Sequence, residues 1–311
     1  MKALICIDGH ELALKAVMTA ARLSGVRSGE VVFLYVRRYR KYSRGYNLRA
    51  KAATIFADLD FDLPEVRYLH EAGEIFKKNG ESYGTEKEPG PLRRALIQTG
   101  ANVFEEGSVT LPFETGSHLK IREGLPHEEI VGESSEGSYD LIILGVHHVA
   151  GCHWYDIEHI PISVAQGAGC PVLLVGNEFN KGQPVLVYVQ PDTSHLCNVE
   201  FIENIAVDMG SDIMVMMVSA FGDSSGVMPP FFHNVMNKWT RRGLKVEFGI
   251  QRGDPVRILS DMAPDYGLIV CSADRKKGKK RIGKIQRQLI CNRYNLLLLP
   301  SACPYGDSPG R

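Results

Sequence analysis

Apolar and polar positions alternate along this chain in blocks, not residue by residue. Short apolar runs rich in Val, Ile and Leu recur without strict alternation, as expected of strands covered on both faces. Amphipathic stretches lie between them; in Glu11 to Leu23, Leu12, Ala16, Ala20 and Leu23 fall on one side of a helix. Strand followed by helix, repeated, predicts parallel α/β sheets. The strands are expected near 2–8, 31–36, 117–121, 139–145 and 171–175. A second set is expected near 184–190, 212–218, 244–250, 266–271 and 295–299.

The two sets are copies of one pattern. Lys2 to Ile7, ending at Asp8-Gly9, matches Pro184 to Val189, ending at Gln190-Pro191-Asp192. Gly124-Leu125-Pro126 before Ile130 matches Gly253-Asp254-Pro255 before Ile258. A repeat this long predicts two tandem open parallel five-stranded sheets with helices on both faces, residues 1–176 and 184–302, joined by a polar linker near 176–183. The 311 residues suffice for two domains that each bury a core. The copies differ between their second and third strands, where about eighty residues in the first stand against about twenty-five in the second. The excess is a charged insertion at about 38–106, opened by Arg37, Arg38, Arg40, Lys41 and Arg44 with Tyr39, Tyr42 and Tyr46 interleaved. A solvated helix packing aliphatic stems and rings is the commoner use of that pattern, and contact with nucleic acid the rarer.

Composition narrows the classes. Net charge is zero, so no global field draws in nucleic acid or an anionic membrane, and neither is expected as a partner. No apolar run approaches the roughly 20 residues that cross a bilayer, and the cytoplasm is the expected location. Seven cysteines without a CxxC pair are expected to be reduced thiols, with Cys6, Cys170 and Cys271 in or beside apolar strands. No Gly-x-Ser-x-Gly elbow, HExxH, dinucleotide GxGxxG or kinase set is present, so no dedicated catalytic cycle is expected.

A ligand of such sheets binds beyond the carboxyl ends of the strands. The residues there are Asp8, Val36 and Gly145 in the first copy and Gln190, Val218 and Ser272 in the second. After Gly145 stand His147, His148, Cys152, His153, Asp156 and His159, the right ligand types for zinc or another borderline metal. Their spacing matches no standard zinc module, and polar loops of this kind commonly only hydrogen-bond, so a polar loop is the commoner reading and a metal-binding protein through His147 to His159 the rarer alternative. After Ser272 the run Arg275 to Lys284 carries seven basic residues in ten, including Lys279 and Lys284, with Gly283 at a helix start that favours an anion. A solvated basic loop, a phosphate site and a nucleic-acid contact are the competing readings of that run.

A first strand ending in Asp8-Gly9, the Gly-x-Pro-x-x-x-Ile helix start, the strand Asp140-Leu-Ile-Ile-Leu-Gly145 and the last strand Cys170-Pro-Val-Leu-Leu-Val175 resemble the universal stress protein family in its tandem form. The resemblance implies a fold of the adenine nucleotide alpha hydrolase, Rossmann-like type. It implies a stress-response binding or signalling module with an unidentified protein partner. It also implies pairing of the two domains within the chain along their last strands, with Val172, Leu174, Leu297 and Leu299 contributing, or a homodimer. Nucleotide-binding members carry Gly-x2-Gly-x9-Gly-Ser/Thr. From Gly145 that pattern puts His148, Glu158 and His159 where the second glycine, third glycine and hydroxyl belong. From Ser272 the loop is about two residues short, with Arg275 at the second glycine and Gly283-Lys284 at the end. Both loops are thus degenerate, and the alternative to a plain binding module is a switch that binds ATP or another adenine nucleotide mainly in the second copy, with weak hydrolysis at most.

Overall fold

The computed structural model describes residues 1–38, 64–80, 95–100, 103–107, 117–146, 160–190, 198–219, 230–272, 274–276 and 279–300. The chain forms two compact units, Met1–Gly145 and Val146–Arg311. Each is built of helices on a mostly parallel sheet, the predicted α/β class. None of the helices among the described residues is long and apolar enough to cross a membrane.

In the first unit the order is β1 (Lys2–Ile7), α1 (Glu11–Arg22), α2 (Ser24–Arg27), β2 (Glu30–Arg38), α3 (Pro64–Asn79), β3 (Ala95–Gly100), β4 (Val103–Gly107), β5 (Ser117–Gly124), α4 (Pro126–Gly137) and β6 (Leu141–Gly145). Across the sheet the strands run β6-β1-β2-β5-β4-β3. The first four are parallel, and β3 and β4 form an antiparallel hairpin against β5. Within the stretch 38–106, α3 lies on the crossover between β2 and β5. Its Leu69, Ala72 and Phe76 are buried, and Phe76 meets Phe33 of β2 edge to face at 5.8 Å. In α1 the buried stripe is wider than Leu12, Ala16 and Ala20 predict. Ala13 and Val17 are buried too, while Leu12 is half-buried.

Helix α4 starts with Pro126 at its first turn, where the missing N–H costs nothing. A charged network fastens it to β5. The Arg122 guanidinium donates to Glu129 at 2.8 Å, Glu133 at 2.7 Å and Glu136 at 3.0 Å. Lys120 Nζ and the Tyr139 hydroxyl both donate to Glu133 Oε1, at 3.1 and 2.7 Å. Glu133 is 1% exposed. Burial pushes its carboxyl up, but these donors outweigh burial and hold it below its ordinary range.

The second unit holds α5 (Ile160–Gly167), β7 (Val172–Val175), β8 (Val185–Val189), α6 (Val199–Met209), β9 (Ile213–Ser219), α7 (Pro230–Arg241), β10 (Val246–Arg252), α8 (Pro255–Met262), β11 (Leu268–Ser272), β12 (Asp274–Lys276), β13 (Lys279–Arg281), α9 (Lys284–Cys291) and β14 (Leu296–Leu299). Its main sheet runs β10-β9-β8-β11-β14-β7, while β12 and β13 form a separate two-stranded antiparallel ribbon. Asp254 caps α8 by accepting from Val256 N at 3.0 Å, with Pro255 in the first turn. Strand β7 is the last of the first repeat, and it pairs antiparallel with β14, the last of the second. Asn295 fixes this pairing from inside. Its Oδ1 accepts from Gly176 N and Asn177 N at 3.0 Å each, and its Nδ2 donates to Gly267 O at 2.8 Å.

Among the cysteines, Cys6, Cys170 and Cys271 are in no disulfide, and burial first, then Asp8, pushes the Cys6 thiol well up. Cys291 corrects the expectation of seven reduced thiols: it is disulfide-bonded, to a cysteine outside the described residues.

Candidate functional site

In an open parallel sheet the ligand crevice opens where strand order reverses. That place lies between β1 and β6 in the first unit and between β8 and β11 in the second. The two ends are furnished differently.

In the first unit, exposed Asp8 turns its Oδ1 to accept from His10 N at 3.0 Å, closing the turn that leads into α1. Gly9 follows with φ +81°, and the Tyr68 ring of α3 lies against it. A β-carbon at Gly9 would come within 2.6 Å of that ring, so both the backbone and the contact require glycine. Tyr68 also stacks on Tyr35 at 6.2 Å and 24°, beneath the Arg67 guanidinium at 5.6 Å. Burial, then Glu65, pushes the Tyr35 phenol up. Beside half-buried Val36, Arg37 stands 3.7 Å from both Glu65 and Glu123. Gly145 lets α1 approach closely, since a β-carbon there would stand 2.6 Å from the Leu12 carbonyl carbon. At the β1 and β2 ends of the first unit the chain's own rings and ion pairs thus pack beside the turn, while Asp8, Gly9 and His10 stay exposed.

In the second unit the strand register places a non-aromatic residue where Tyr35 stands in the first. Tyr35 pairs with Ile7 at the end of β1, and its counterpart, paired with Val189 at the end of β8, is Met217. Val218 is buried and Gln190 half-buried. Ser219 ends β9 fully buried, and its hydroxyl has no hydrogen-bond partner among the described residues. Such orphaned buried groups are uncommon in folded proteins.

Across β8, half-buried Ser272 ends β11. Its carbonyl accepts from Gln286 Nε2 at 3.0 Å, and Gln286 is 1% exposed. That bond holds the first turn of α9 against the strand end. Gly283 precedes the helix with no side-chain cap, leaving its first amides and exposed Lys284 as a positive end. Arg275 and Lys279 belong to the ribbon β12–β13, of which the backbone alone is described. The structure therefore brings Ser272, Gly283 and Lys284 to one strand end. Tyr68, Ser219 and Gln286 are additions that sequence reasoning missed. The apolar-to-polar switch at Val218-Ser219 was the only signal for Ser219, and none marked the other two.

The six candidate metal ligands His147, His148, Cys152, His153, Asp156 and His159 lie outside the described residues. A groove of about 380 Å³ runs along α7, lined by Asn234, Asn237, Lys238, Arg241 and Arg242. Two of its cations are engaged, Lys238 by Glu200 at 2.9 Å and Arg242 by Glu203 at 2.8 Å. Because β9 and β10 are parallel, α7 runs back from the carboxyl ends, so its last turns lie toward the other end of the sheet.

Residues 1–176 match the model of the universal stress protein family. No curated protein sequence matches the chain. A universal stress protein from Archaeoglobus fulgidus superposes with a TM-score of 0.60 at 14% identity, covering 96% of each chain. A functionally unknown protein from Pseudomonas aeruginosa gives 0.53 at 13% identity, covering 96% of this chain and 92% of that one. The cytoplasmic domain of a prokaryotic cation chloride cotransporter gives 0.53 at 10% identity, covering 96% and 95%. At these identities the structural likeness speaks for the fold alone.

Proposed function

The chain belongs to the universal stress protein family, and we propose that it works as a stress-response binding module whose second unit, not its first, takes an adenine nucleotide. The observation that carries this reading is the strand-end site of the second unit. There the uncapped α9 terminus at Gly283 is clamped to Ser272 through buried Gln286, in the same unit as the orphan hydroxyl of Ser219. The helix terminus suits phosphate. Ser219 and Gln190, at the ends of β9 and β8, suit the hydrogen-bonding edge of a base or sugar. In the first unit the corresponding space is covered by Tyr68 and Tyr35. In this reading the bound nucleotide acts as a signal rather than a substrate. The β7–β14 pairing fixed by Asn295 supports a module whose two repeats are joined through their last strands. That pairing also protects the β14 edge.

The test is thermal unfolding with and without ATP. A ligand at about 100 times its Kd stabilises by about 2.7 kcal/mol. Protection that disappears in Lys284→Glu is the expected result. Lack of any protection by millimolar ATP would sink the proposal.

A further inference from the structure

The basic run after Ser272 folds, in its described part, as a ribbon: β12 pairs antiparallel with β13 in the register Asp274↔Arg281, Arg275↔Lys280 and Lys276↔Lys279. Two of these three cross-strand pairs are like-charged. Directly opposed like charges destabilise a ladder, and a lone two-stranded ribbon is marginal in water. The ribbon is a sheet of its own, and Asp274 is the one acidic residue between Asp265 and Asp307. The neighbouring sequence supplies no counter-charge beyond Asp274. Strand alternation assigns positions 275 and 280 to one face and positions 274, 276, 279 and 281 to the other, so basic positions occur on both faces. A mononucleotide at the α9 terminus meets one face only. A duplex carries phosphates on both walls of a groove about 12 Å wide, which admits a two-stranded ribbon.

We propose that the β12–β13 ribbon is a docking element for duplex nucleic acid, held through backbone phosphates without base readout. The inference is separate from nucleotide binding at Gly283 and goes beyond it. Five basic positions release counterions from about five phosphates, so affinity falls steeply with salt, with a log–log slope of about −4 to −5. The partner is a class that the neutral net charge of the chain argued against, because a local ribbon escapes a global average.

Fluorescence anisotropy of a labelled duplex of about 20 base pairs, titrated with the full chain at about 50 mM salt and above, tests this. Expected are binding with that slope and a loss of tenfold or more in each of two double variants, Arg275→Glu/Lys280→Glu and Lys276→Glu/Lys279→Glu. Arg257→Glu, a reversal of an exposed surface charge on α8, is expected to bind as the unaltered chain does. Circular dichroism and thermal unfolding of each variant exclude loss of fold. No binding at low salt, a slope shallower than about −1, or equal loss in Arg257→Glu would overturn the proposal. So would capture of anionic lipid vesicles but not duplex. ATP protection measured on the same variants keeps the two readings apart. An unaltered chain that is protected by ATP yet never binds duplex refutes the docking element and leaves the nucleotide site standing.

Discussion

The two units start from one strand order and end in opposite treatments of the same crevice. In the first, Tyr68 lies on Gly9 and Tyr35, and Arg37 faces Glu65 and Glu123. In the second, Met217 takes the place of Tyr35, and Ser219 keeps a buried hydroxyl without a partner among the described residues. The difference teaches that duplicating a scaffold does not duplicate a site. Parallel strands, a glycine-proline helix start and buried aliphatic runs survive divergence because the core needs them, whereas the few residues at strand ends are free to close a crevice or keep it. Stability follows the same division, since each unit is fastened by its own polar device: the Arg122 network in the first, the Asn295 latch in the second.

The sharpest way to separate the units is to remove those devices. Arg122→Met leaves Glu133 buried without its main cation and is expected to cost the first unit about 3–5 kcal/mol in denaturant unfolding. Asn295→Ala strands Gly176 N and Gly267 O and is expected to cost the second unit about 3 kcal/mol. A fluorescence transition in which the two variants shift the same phase by the same amount would dissolve the distinction between the units.

Acid should find the first unit through Glu133. Its carboxyl is held below the ordinary value of 4.5, so it contributes stability above the unfolded-state value, and that contribution is lost as pH falls through the lowered folded-state value. Tyr139→Phe removes one donor, costs about 1 kcal/mol at neutral pH and moves the acid loss to higher pH. Unchanged acid unfolding in that variant would remove Tyr139 from the account. Smaller effects probe the crevices themselves. Ser219→Ala should leave the free protein as stable or slightly more so, because an orphan hydroxyl disappears, while weakening ATP binding by about 1 kcal/mol. Tyr68→Ala should give the weakest signal, a second and low-affinity adenosine site visible in calorimetry. Its absence would mean that the ring is not what closes the first crevice.

Much of this architecture was legible from pattern alone. All ten expected strands are present, because runs such as Leu141–Leu144 and Leu296–Leu299 have no use except burial on both faces. Helix α3 escaped notice although Leu69, Ala72 and Phe76 carry its stripe, since the charge of the surrounding stretch drowned a three-residue signal. The hairpins were hidden for opposite reasons. Strands β3 and β4 lie within a stretch read as an insertion, and the ribbon β12–β13 is built of residues that disfavour strands. At the candidate site, Gly145, Gln190 and Ser272 follow from strand ends, and Gly283 from its place before a helix. Tyr68 and Gln286 could not be read that way, because each acts on a residue far along the chain and only the packed fold makes them neighbours.

The central claim is that the second unit binds the nucleotide and the first does not. Amide hydrogen exchange of the intact chain with and without ATP tests it most directly. The account predicts new protection at the start of α9, Gly283 to Gln286, and none at Gly9 to Leu12. Protection at Gly9 to Leu12 with α9 unchanged would contradict it.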